Sequence, residues 1–275
     1  MTDIDTGTDD LLARIEDGVA VVTMNRPARR NALSPAMLAA LAQVLADVEV
    51  DDRVGAVVLT GAGGAFCAGG DVKSMADAPG ARTSTGGPGI DERIHRQRLS
   101  QRATSGRLWS MPKPTIAALP GPAAGAGLAL ALACDLRYAA HDAILTTAFA
   151  RVGFSGDYGG TYFLTQLVGT AKARELYYFS DKLTAAEATQ QGIVNGTFPA
   201  DRLEQEVLDR ARRLAAGPRI AYRYMKENLN RALHGEAGEC LDLEATHHVH
   251  TGLTEDHREA ARAFVEKREP RFVGR

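Results

Sequence analysis

The chain has three cysteines in 275 residues, Cys67, Cys134 and Cys240, an odd number spread far apart. That excludes a disulfide-stapled scaffold and fits a reducing compartment, so the expected location is cytoplasmic. Aromatics are scarce at 6%, with a single tryptophan, and the net charge is only −2. No bulk excess of either sign draws the molecule to nucleic acid or to an anionic membrane, and neither is expected as a partner. A long uninterrupted apolar run is also missing. The passage Ile116 to Cys134 comes nearest, but Pro120, Gly121, Pro122, Gly125 and Gly127 break it. It reads as a buried strand, loop and helix rather than a membrane span. The opening "MTDIDTGTDD" is acidic and polar, unlike a secretory or transit peptide, and is expected to fray.

What remains, 45% hydrophobic and 24% charged, is ordinary globular composition. Asp17-Gly18 between apolar runs predicts a hairpin. Ser34 is a candidate N-cap with Pro35 at the first helical position, and Leu38, Leu41, Leu45 and Val48 give the following helix an apolar face. Val54 to Thr60 and Thr115 to Leu119 read as strands, with "DLRYAA" and "AILTTA" as shorter ones. Asp91 to Ser110 reads as a polar helix, and an Ala/Leu helix is expected to run to about Ala133. Asp77 to Pro88 reads as a surface loop. Thr184 with Glu187 has the capping-box spacing, and Gly192 closes that helix. Leu203, Val207, Ala211 and Leu214 repeat at helical spacing until Gly217-Pro218. The reading is an α/β core over residues 1–200 and a helical region over 201–275.

Two glycine-rich loops demand a function. "GAGGAFCAGGD" offers Gly61 and Gly63 but has Phe66 where a dinucleotide fingerprint needs its third glycine, and "GPAAGAGLAL" has Leu130 there. A nicotinamide dinucleotide is therefore not expected, and no cofactor is. Two uses stay open on the residues alone. The glycines serve tight turns and close packing, or their backbone N–H groups converge on a developing oxyanion.

Several segments in the same order, "NRPARRNALS", "AFCAGGDVKSM", "AALPGPAAGAGLALALACDLRYAA", "GGTYFLTQLVG" and "AFVEKREPRF", resemble the enoyl-CoA hydratase/isomerase, or crotonase, family. The resemblance implies an α/β spiral of ββα units with a C-terminal helical region that builds homo-trimers, often stacked as dimers of trimers. It implies an acyl-CoA thioester substrate, so CoA arrives with the substrate. The thioester carbonyl would accept from the amides of Gly70 and Ala126, the latter in place of the family's usual glycine. Arg29 and Arg30 would lie near the CoA phosphates, Ala68 near the adenine, and Lys73 near the nucleotide. Phe264 and Lys267 match tail residues that approach CoA from a neighbouring subunit.

The resemblance also marks two positions at which hydratases carry glutamates that hold and activate water. Here they are Ala129 and Phe149, neither of which transfers a proton. Asp157, in "GFSGDYGGTYF", falls in the loop where isomerising relatives carry an aspartate. It is the favoured acid/base for a 1,3-proton shift, and its competing use is as N-cap of a helix starting near Tyr158. Double-bond isomerisation is thus the favoured reaction. The alternatives are hydration with unusual water activation, and a non-catalytic acyl-CoA-binding protein. His247, His248 and His250 cluster without an acidic partner at ligand spacing, so no metal is expected. His95 is a weak candidate in the polar helix, and Cys67 reads as a small buried filler.

Overall fold

The structure is a computed structural model and describes residues 1–71 and 89–275. Lys73 and the expected loop Asp77–Pro88 lie outside the described residues. Strands β1 (Thr2–Ile4), β2 (Leu11–Glu16), β3 (Val19–Met24), β4 (Ala56–Gly61), β5 (Thr115–Leu119), β7 (Leu136–Ala140) and β10 (Gly196–Phe198) form one sheet, in the order β1-β2-β3-β4-β5-β7-β10. The hairpin turn is where the sequence places it. Asp17 and Gly18 both have positive φ, 48° and 79°, which matches the twist of the flanking strands. From β3 onward every pairing in this sheet is parallel. Ala56–Leu59 and all of β5 are buried, as expected of strands covered on both faces. A second small sheet joins β6 (Ala123–Ala124), β8 (Ile144–Thr146) and β9 (Leu183–Thr184).

The acidic N-terminus is not frayed. Thr2–Ile4 pairs antiparallel with Ala13–Ile15, so its backbone groups find partners in β2. Helix α1 (Pro35–Val50) starts at Ser34, whose side chain accepts from Met37 N, and Pro35 stands at N1. Its buried residues are Met37, Ala40, Leu41, Val44, Leu45 and Val48. The polar helix is α2 (Ile90–Gln101), which passes through a π-turn at Arg102–Gly106 before a last α turn to Ser110. Next come α3 (Ala126–Leu132) and α4 (Gly160–Phe179). The expected capping box of α5 (Ala185–Gln190) is present in both directions between Thr184 and Glu187.

Helix α6 (Leu203–Ala215) buries Leu203, Val207, Leu208, Ala211 and Ala215, and packs on β3, β4, β5 and β7. It falls within the 201–275 region yet covers the sheet. The helices beyond it, α7 (Arg219–Ala232), α8 (Ala237–Gly252) and α9 (Glu255–Glu266), pack in sequence on one another. They leave Leu229, Leu241, Val249, Leu253, Phe264 and Val265 exposed.

Candidate active site

The two glycine loops meet. Cys67 pairs with Ala123, and its carbonyl accepts from Ala124 N at 2.9 Å. A Cβ placed on Gly127 would lie 2.5 Å from Cys67 O and 2.7 Å from its Sγ, so only glycine admits this approach. Gly69 lies against the same loop, its would-be Cβ 3.3 Å from Ala126 N. Cys67 is wholly buried, its thiol donates to Asn31 O, and burial pushes its pKa up to about 12. It packs as a filler between the loops.

Among the described residues, neither Gly70 N nor Ala126 N has an acceptor. Gly70 forms its bridge to Leu33 through the flanking Gly69 carbonyl, which accepts from Leu33 N at 2.8 Å. Ala126 opens α3 directly after Gly125, which takes the positive φ of 53°. Its own φ lies outside the left-handed region, so alanine is tolerated without strain. Two amides on abutting loops, with no acceptor among the described residues, are the kind of donor pair an oxyanion requires.

The Gly70 loop is held by groups that the sequence reading passed over. Asn31 is fully buried with φ 57°. Its Nδ2 donates to Ala62 O at 2.9 Å and Ala65 O at 2.8 Å, and its Oδ1 accepts from Arg26 N. Arg26 reaches Asp71 Oδ2 at 3.3 Å and donates to Ala32 O. The only sequence signal was an asparagine beside arginines in "NRPARRNALS", and residue type does not distinguish such an anchor from an ordinary turn residue.

Asp157 does not cap a helix. Helix α4 begins at Gly160 with Gly159 as its N-cap, and no side chain caps it. The backbone turns instead, with Gly160 N donating to Asp157 O at 3.0 Å and Tyr158 held at φ 48°. Tyr158 is fixed from α2, its N donating to Gln101 Oε1 at 2.6 Å and its hydroxyl meeting Ser100 Oγ at 3.2 Å. A non-glycine residue at positive φ costs about 1–3 kcal/mol, and strain of this size collects at functional turns. Asp157 Oδ1 is buried and has no hydrogen-bond partner among the described residues. Burial raises the carboxyl to about 6, which suits a group that exchanges protons near neutral pH.

Ala129 is buried on α3, and the ring of Phe149 is buried beside Gly125. Neither supplies a carboxylate. Arg29 and Arg30 are exposed on the loop before α1. The carbonyl of Arg30 accepts from Ala68 N at 2.9 Å, tying that loop to the first glycine loop. Gly70, Ala126, Ala68 and Arg30 are thus brought together. Phe264, 85% exposed, and Lys267 are not, since they lie at the end of α9, which packs on α8. His247 is buried, its Nδ1 2.6 Å from Asn228 Oδ1 and its ring stacked on Tyr224. His95 is exposed on α2. No cluster of three or more metal-ligating side chains occurs among the described residues. No helix there is long and apolar enough to cross a membrane.

Two abutting glycine-rich loops and a desolvated carboxyl thus sit on an α/β core with helices at its C-terminus. The family model for enoyl-CoA hydratase/isomerase matches residues 14–275. The chain belongs to that family. It is 36% identical to the 1,2-epoxyphenylacetyl-CoA isomerase of Escherichia coli K12 over 96% of this chain and 98% of that protein. It is 37% identical to a Rhodobacter capsulatus protein described as "Probable enoyl-CoA hydratase", over 95% and 96% respectively. A solved enoyl-CoA hydratase from Bacillus anthracis superposes with a TM-score of 0.87 at 31% identity, covering 97% of this chain and all of that one. The crotonase-type α/β fold implied by the sequence resemblance is the fold observed, and the protein is an enzyme of this family.

Proposed function

We propose that this enzyme isomerises double bonds in an acyl-CoA by moving one proton through Asp157. The thioester carbonyl accepts from Gly70 N–H and Ala126 N–H. The Asp157 carboxylate takes a proton from the carbon alpha to the thioester, and the resulting enolate places its charge on the oxygen that the two amides face. Asp157, now protonated, returns the proton to the gamma carbon, and the double bond shifts. Two such donors are worth about 10²–10³ in rate for each one removed, and the acid/base about 10²–10⁴.

The observation that carries this reading is a buried Asp157 oxygen with no partner among the described residues, on a carboxyl raised to about 6. It stands where Ala129 and Phe149 supply no second acid to activate water. The similarity to an isomerase acting on 1,2-epoxyphenylacetyl-CoA supports it. Arg29, Arg30, Ala68 and Lys73 are assigned to the CoA nucleotide, and Phe264 and Lys267 to a neighbouring subunit's CoA within a trimer or dimer of trimers. CoA enters as part of the substrate, and no separate cofactor takes part.

A panel of 2-enoyl- and 3-enoyl-CoA thioesters followed by ultraviolet absorbance tests the reaction. Interconversion of the two without formation of 3-hydroxyacyl-CoA is expected. Hydration of 2-enoyl-CoA as the faster process would replace this reading with that of a hydratase using another water-activating group.

A further inference from the structure

The glycines around Asp157 make room for a tyrosine from far along the chain. Helix α4 departs from helical geometry at Gly169, with φ 74° and ψ 166°. Its second half brings Leu176 to Thr147, whose Oγ1 donates to Leu176 O at 2.7 Å. That contact sets the next residue, Tyr177, against the Asp157 turn. A Cβ on Gly160 would lie 2.6 Å from Tyr177 Oη and 3.1 Å from Ala129 Cβ, so the hydroxyl and Ala129 are within about 6 Å of each other. A Cβ on Gly156 would lie 3.2 Å from the same ring and 3.7 Å from Oη. The turn from Gly156 to Gly160 therefore closes around the phenol, and Asp157 is the acid within that turn. Phe149 holds the ring from its other side, 5.8 Å between centroids and 9° from parallel. Asp157 Oδ1 is buried with no hydrogen-bond partner among the described residues, and no described residue is hydrogen-bonded to Tyr177 Oη.

We propose that Tyr177 is a positioning residue whose hydroxyl donates to the Asp157 carboxylate when that base is charged. The inference rests on the reading of Asp157 as the acid/base and adds the group that aims it. Burial, then the Asp157 charge, raise the phenol pKa, so Tyr177 keeps its proton throughout the working range and remains a donor. Among the described residues, two titratable groups feel Asp157, Tyr158 and Tyr177. Tyr158, on the same turn, is raised by burial and also feels Asp157 and Cys67, but its hydroxyl is engaged with Ser100. From α2 the turn meets the neutral Ser100 and Gln101. Thr161 also borders Gly156, but through its methyl group, whereas Tyr177 brings its hydroxyl to both Gly156 and Gly160 and lies near Ala129, where the resemblance places a hydratase's first glutamate.

The test separates this inference from the reading beneath it. Protein carrying ¹³C-carboxyl aspartate is titrated by NMR in the wild type and in Tyr177→Phe, with Asp157→Asn identifying the resonance. A hydrogen bond to the charged form lowers a carboxyl pKa, so its removal is expected to raise the Asp157 midpoint by about one unit. Phe keeps the stack on Phe149, so the melting temperature should barely move. Tyr177→Leu should show the same rise together with a lower melting temperature. A midpoint that stays or falls in Tyr177→Phe would overturn the inference and reduce Tyr177 to packing. That outcome leaves the acid/base role untouched, because proton exchange in Asp157→Asn decides that role separately.

Discussion

Tyr177 lies face to face with Phe149, and its hydroxyl points into the space that a side chain on Gly160 would occupy. The stack sets aromatic carbon and one hydroxyl near Ala129. Neither Ala129 nor Phe149 carries a carboxylate at this place.

Ala129→Glu is therefore expected to destabilise the protein rather than convert it. Ala129 is buried close to Gly160 and the Tyr177 hydroxyl, so the added side chain would crowd them and put a second negative charge near Asp157. Overpacking of this kind costs about 1–3 kcal/mol. Urea unfolding measures it, and a variant as stable as the wild type would show that the space is open.

Asp157→Asn is expected to lower proton exchange at the substrate's alpha carbon by about 10²–10⁴ while leaving thioester affinity nearly unchanged. Deuterium wash-in from heavy water, read by mass spectrometry, follows the step directly. Because Asp157 makes no cap in this structure, loss of a helix cap cannot explain a fall in rate. Exchange at the wild-type rate would place the base elsewhere.

The raised carboxyl gives the pH dependence its sign. Proton abstraction needs the charged form, so the exchange rate should climb with pH through about 6. Stability runs the other way. The folded state binds this proton more tightly than the unfolded chain does, so its contribution is fully present below about 4 and is lost as pH rises towards 6. Asp157→Asn should consequently melt higher than the wild type at pH 8, with the gap closing at pH 4. An equal gap at both pH values would mean that Asp157 is not desolvated.

The exposed apolar side chains on α7, α8 and α9, among them Leu229, Leu241, Val249 and Phe264, predict an assembly. Analytical ultracentrifugation at micromolar concentration is expected to show a trimer or a dimer of trimers. A monomer would contradict both the assembly and the assignment of Phe264 and Lys267 to a neighbour's site.

Local chemistry was legible in the sequence because its causes are local. Asp17-Gly18 fixed the hairpin, Ser34-Pro35 started α1, and Thr184 with Glu187 closed a capping box, each within a few residues of itself. The order of the glycine motifs likewise carried the family and fold, and "GFSGDYGGTYF" singled out Asp157. Other features needed partners distant along the chain. Thr2–Ile4 is ordered because β2 offers a free edge, which no property of "MTDIDTG" announces. Asn31 is an anchor only because three carbonyls of the first glycine loop fall around its amide. Whether Asp157 capped a helix or stood as a desolvated acid could not be read from its neighbours, since both uses favour the same residue type. The backbone at Tyr158 and Gly159 delayed the helix to Gly160, and packing from α2 and α4 removed water from the carboxyl. Residue types and short-range propensity determined which groups this protein has to work with. Which of them lost their solvent, and so changed their chemistry, was decided by contacts that form only when the chain has closed on itself.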